Sequence, residues 1–221
     1  MTIAAVNEFA LLPETAAAVG IPPHTTPTVR RSWVDVPGGG RISGVVWTSR
    51  PARAILLHRP GRDARALDHL ALRLGWPIVV IDLPEQGHSE AVRPDELAYA
   101  IRSLAPEASA IVGFGSSALT ALDTSTPRIG TVVLVDALPD PDATVWDRLT
   151  TTASSWLIRS RNSPVSPADV TQLRRRSPNT RLLQLAAPAR RVESSSVLAA
   201  ALQAVLTGAA RERSRRHLGI V

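Results

Sequence analysis

The chain has 221 residues, 44% hydrophobic and 20% charged, which is enough apolar material for one domain with a two-sided core and too much for general disorder. All 25 basic residues are Arg and the net charge is +6. The arginines are scattered and no nucleic-acid-binding motif accompanies them, so neither nucleic acid nor a membrane surface is an expected partner.

The first 29 residues are rich in Ala and Pro and only weakly periodic. They read as an arm lying against the domain, with one short helix around residues 14–19. Glu8 and Glu14 interrupt any leader-like pattern, no apolar run is long enough to cross a bilayer, and no Cys is present. A cytoplasmic protein without disulfide, cofactor or metal is expected. Arg31–Val36 and Arg41–Thr48 alternate apolar and polar residues around Pro37-Gly38-Gly39-Gly40, which predicts a β-hairpin.

The rhythm then changes. Ala54–His58, Pro77–Asp82, Ala110–Phe114 and Thr131–Asp136 are nearly continuous apolar runs, the mark of strands buried on both faces of a parallel sheet. Asp63–Leu74 and Pro94–Leu104 between them have helical spacing, and Pro-Asp-Glu suits a helix start. Ser155–Arg159 and Arg181–Leu185 follow as strands, with Pro167–Arg176 and Val197–Thr207 as helices. Arg174–Arg176 and the arginines beyond Arg211 read as solvated helix ends. The expectation is a 1–29 arm, a 30–208 α/β domain and a 209–221 basic tail.

Three stretches, each after a predicted strand, carry a family resemblance: Leu56-Leu57-His58-Arg59-Pro60-Gly61, Asp82-Leu83-Pro84-Glu85-Gln86-Gly87-His88-Ser89, and Val112-Gly113-Phe114-Gly115-Ser116-Ser117. In this order they resemble the His-Gly-x-Gly loop, the Asp-x-Pro-Gly-x-Gly-x-Ser turn and the Gly-x-Ser-x-Gly nucleophile elbow of the α/β-hydrolase superfamily, particularly its bacterial esterase-like and epoxide-hydrolase-like members. The resemblance implies an α/β-hydrolase fold: a mostly parallel sheet of about 8 strands with helices on both faces. The connection from Leu138 to about Ser154 leaves room for one short helix, including Trp146, and not for a cap domain.

The catalytic residues depart from the pattern. Aligning Gly113 with the first elbow glycine puts Gly115, which has no side chain, at the nucleophile. A shifted register makes Ser116 the nucleophile but leaves no Gly two residues on. No His occurs between His88 and His217, and Arg190 stands near the family's general base; a guanidinium cannot take a proton. Pro60 replaces an oxyanion-hole N–H, and losing one such donor costs about 3–4 kcal/mol elsewhere. Asp136 is the best-placed acid and Asp169 a weaker candidate.

On this reading triad-dependent ester or amide hydrolysis is not expected. His58, Arg59, Glu85, Gly115, Ser116, Asp136 and Arg190 are the candidate lining of a crevice at the strand C-termini, with His58, Asp136, Glu85 and Ser116 its candidate catalytic groups. The primary expectation is a non-hydrolytic protein that binds a small molecule or a protein partner. The alternatives are a non-covalent lyase, isomerase or cyclase, and a hydrolase with a displaced Ser116 nucleophile.

Overall fold

The computed structural model describes residues 7–124, 128–138, 149, 151–152 and 154–217, without the side chains of 23, 189–191 and 211–217. Eight strands form one sheet: β1 Arg30–Asp35, β2 Arg41–Trp47, β3 Ala54–Leu57, β4 Ile78–Ile81, β5 Ala110–Phe114, β6 Thr131–Val135, β7 Ser154–Arg159 and β8 Arg181–Gln184. Their order is β1-β2-β4-β3-β5-β6-β7-β8. β2 is antiparallel to β1 and β4, and every other pairing is parallel. The predicted hairpin therefore forms the antiparallel edge, and the four apolar runs are adjacent parallel strands. Residues 136–153 alone join β6 to β7, and no cap domain occurs among the described residues. The short helix expected around Trp146 lies outside the described residues.

The central strands are apolar throughout because both faces are covered. Ile55, Leu57, Val79, Ile81 and Ile111 face one core layer, where helix α3 (Pro94–Leu104) inserts Leu97 and Ile101. Leu56, Val80, Val112 and Phe114 face the other, beneath α2 (Asp68–Leu74) and the last helix (Ser196–His217). Helix α1, Leu12–Ala18, ties the N-terminal arm to this second layer through Leu12 and Ala16. Helix α4 spans Ser117–Asp123 and α5 spans Pro167–Arg176, so the last helix is α6. None of the described helices is long and apolar enough to cross a membrane.

Capping accounts for one carboxylate that sequence reasoning had considered for chemistry. Asp169 accepts the Ser166 N–H at 2.7 Å while Ser166 Oγ accepts the Asp169 N–H at 3.2 Å, the reciprocal pair that starts α5. Those bonds with Ser166 hold the Asp169 carboxyl below its ordinary range. Its role is structural, and it stands on α5 away from the β5 elbow.

Asp68, at the start of α2, behaves oppositely. Burial pushes its carboxyl up to about 6 against the pull of the Arg65 guanidinium, and its Oδ1 has no hydrogen-bond partner. An acid whose folded pKa exceeds its unfolded value binds protons preferentially when folded, so this group adds stability as pH falls from about 6 toward 4. Comparing urea unfolding at pH 7.5 and 5.0, the wild type should gain roughly 1–3 kcal/mol relative to Asp68→Asn on acidification. Equal pH dependence of the two proteins would refute this assignment.

Candidate active site at the β5 elbow

β5 ends in a tight turn into α4. The Gly115 N–H donates to Val135 O at 2.9 Å and Gly115 O accepts the Ala118 N–H at 2.9 Å. Gly115 has φ +59°, a left-handed conformation that side chains other than Gly rarely adopt. Two residues earlier a Cβ on Gly113 would lie 2.4 Å from Ala118 Cα, so the helix packs directly on strand backbone. This is the strand–turn–helix geometry of a nucleophile elbow, with no side chain at its apex.

The serines on either side have different fates. Ser117 is buried, and its hydroxyl accepts the Phe114 N–H at 3.0 Å and lies 2.7 Å from Phe114 O and 3.0 Å from Leu57 O. It staples β5 to β3. Ser116 is exposed at the α4 N-cap and its hydroxyl makes no cap hydrogen bond.

The space a nucleophile would fill is occupied from the loop after β3. A Cβ on Gly115 would meet Arg59 Nη1 at 3.2 Å. Arg59 Nε donates to Glu193 Oε1 at 2.6 Å, and Nη2 donates to Asp136 Oδ2 at 3.4 Å. Asp136 is 1% exposed, has φ +56° and accepts the Ser160 N–H on Oδ1 at 2.7 Å. Two carboxylates thus clamp one guanidinium over the elbow, as a planar five-donor cation allows.

Of the expected crevice residues, Arg59, Gly115 and Asp136 converge there, with Ser116 beside them at the turn. His58 does not. Its imidazole is fully buried, with Nδ1 2.8 Å from Arg59 O and Nε2 accepting the Leu83 N–H at 3.2 Å. A carbonyl on one side and an N–H on the other fix the Nδ1–H neutral tautomer. Both nitrogens join loops, so the expectation that His58 borders the crevice as an acid or base is corrected. Glu85 is exposed in the turn after β4 with φ +61°, and among the described residues no contact ties it to the Arg59 cluster. Arg190 lies in the 3₁₀ segment Ala189–Ser194, its side chain outside those described.

Sequence reasoning missed Glu193. It stands three residues after Arg190, on the same face of a 3₁₀ helix, and is the one carboxylate between Arg181 and α6. That uniqueness was the available signal.

Beneath the site, the turn after β4 is anchored by Asp82. Its Oδ1 accepts the Ala64 N–H at 2.6 Å; its Oδ2 accepts the His88 N–H at 3.1 Å, the Arg31 guanidinium at 2.5 Å and the Ser43 hydroxyl. Burial pushes the Asp82 carboxyl up, but the Ser43, Ala64 and His88 bonds with the Arg31 charge hold it below its ordinary range. Arg31 also pairs with Glu8 of the arm. No cluster of His, Cys, Asp or Glu able to hold a metal occurs among the described residues.

No family model matches the chain. Esterase Rv0045c of Mycobacterium tuberculosis is 34% identical over 146 residues, an alignment covering 61% of this chain and 47% of the esterase. The chain thus spans about half the length of the curated relative it matches. A solved structure of that esterase superposes with TM-score 0.76 and 22% identity, covering 93% of this chain and 99% of the other. The thioesterase domain from the curacin biosynthetic pathway superposes at 0.68 with 12% identity, covering 82% of this chain and 99% of that one. The esterase relative overturns the expectation of a non-hydrolytic binding protein, and gives no support to a lyase or cyclase.

Proposed function

We propose that this chain, a member of the α/β-hydrolase superfamily, hydrolyses carboxylic esters at the elbow of Gly115, with Glu193 as the proton acceptor and Arg59 as the oxyanion donor. The observation that carries the reading is the Arg59 guanidinium held over a bare elbow glycine by two carboxylates. The similarity to a protein named an esterase supplies the reaction class.

With no hydroxyl at the apex, water is the attacking group. The Glu193 carboxylate takes one proton from a water above Gly115, and the resulting hydroxide forms the new C–O bond at the ester carbonyl carbon. Arg59 Nη1, the nitrogen nearest the elbow, donates to the developing oxyanion, replacing the N–H that Pro60 lacks. When the tetrahedral intermediate collapses, the C–OR bond breaks and the alkoxide recovers the proton from Glu193, giving one acid and one alcohol per water. Asp136 orients the guanidinium and does not exchange protons.

The test is turnover of p-nitrophenyl butyrate. Glu193→Gln should lower kcat by about 100-fold or more with KM nearly unchanged, while Ser116→Ala retains activity and fluorophosphonate probes label nothing. Stoichiometric labelling lost in Ser116→Ala would transfer the attack to Ser116. Absence of ester hydrolysis by the wild type would end the proposal.

A further inference from the structure

A second concavity, of about 450 Å³, opens at the opposite end of the sheet. It lies between the chain leaving β2, the turn from α2 into β4 and the arm segment 21–28. Trp47, the last residue of β2, pairs with Ile78 at the start of β4, so the cavity is at the N-terminal edge of the parallel strands and the Arg59 cluster at their C-terminal edge. The volume falls in the range of small-molecule pockets, about 300–1,000 Å³.

Its wall has two characters. Ile21, Leu72, Trp47 and Trp76 supply an apolar and aromatic lining, while Ser49 and Arg50 supply polarity. Arg50 is the one charged lining residue, with no carboxylate beside it in the wall. Trp47 is 2% exposed, yet its Nε1–H has no hydrogen-bond partner. A buried indole N–H ordinarily finds an acceptor, and leaving one unpaired costs about 1–3 kcal/mol. An aromatic wall, one cation and an N–H lacking an acceptor call for a ligand that is apolar over most of its length and ends in an oxyanion.

We propose that this cavity binds a compact amphipathic carboxylate, its apolar body against Trp47 and Trp76 and its carboxylate on the Arg50 guanidinium and the Trp47 N–H. The site is independent of the ester-hydrolysis reading. Octanoate is the probe, titrated calorimetrically into the full chain, with octanol as the uncharged control. Octanoate should bind saturably at one site and octanol about tenfold or more weakly. Arg50→Gln and Trp47→Phe, which keeps an aromatic ring but removes the indole N–H, should each weaken octanoate by about tenfold, and Arg59→Ala should leave binding unchanged. Because Arg50 is exposed, Arg50→Gln decides the matter even if Trp47→Phe misfolds. No saturable binding, equal affinity for octanol, or binding lost in Arg59→Ala and kept in Arg50→Gln would each overturn the proposal.

Discussion

Arg59→Ala is expected to lower kcat/KM for p-nitrophenyl butyrate by about 100- to 1,000-fold, the range seen when an oxyanion donor is removed elsewhere. Among the described residues the Arg59 guanidinium is the cation against the elbow, and its Nη1 would lie 3.2 Å from a Gly115 Cβ. Arg59→Lys should recover little. A lysine ammonium is a point charge and cannot hold Glu193 and Asp136 at once while presenting a third face to substrate. Arg59→Ala leaves the buried Asp136 carboxylate its Ser160 N–H bond but takes away its cation, so circular dichroism at the assay temperature is needed to show that the variant compared is folded. An Arg59→Ala protein with near wild-type turnover would remove this residue from the chemistry and leave Ser116 to explain any activity.

The largest loss of stability is expected at Asp82. Its carboxylate is fully buried and satisfies two backbone N–H groups, one hydroxyl and the Arg31 guanidinium. Asp82→Ala removes the acceptor from all four and leaves Glu8 as the one carboxylate paired with a cation whose side chain is 4% exposed. Deleting one partner of a buried ion pair typically costs about 3–5 kcal/mol, a large fraction of a domain's total stability. Chemical denaturation should show a loss of unfolding free energy of that size. The folded carboxyl lies below its unfolded value, so its contribution is complete at neutral pH and is lost as pH falls through the folded pKa, below the ordinary carboxylate range. A wild-type acid transition unaltered in a destabilised Asp82→Asn protein would contradict that attribution. Glu8 shares the Arg31 cation, so the arm should loosen together with this turn.

Local pattern determined most of the architecture. Four nearly continuous apolar runs, each too short for a typical helix, read as strands covered on both faces, because an exposed face would need polar residues at alternate positions. Pro37-Gly38-Gly39-Gly40 sets a hairpin between two alternating segments, and Pro94 with Asp95 and Glu96 starts α3 where predicted. The elbow was legible too, since Gly113 and Gly115 occur where a helix must pack on strand backbone and turn with positive φ. The charge cluster was not legible. Arg59 and Glu193 are separated by 134 positions, and nothing in either local sequence encodes which distant carboxylate a flexible guanidinium will meet. His58 shows the same limit: its position after a strand was readable, but whether the ring turned to the crevice or inward depended on the Leu83 N–H supplied by another loop. Secondary structure follows from periodicities of two and 3.6 residues, which are local. A site is assembled from loop ends brought together by the sheet order, so its membership was decided only when the strands packed.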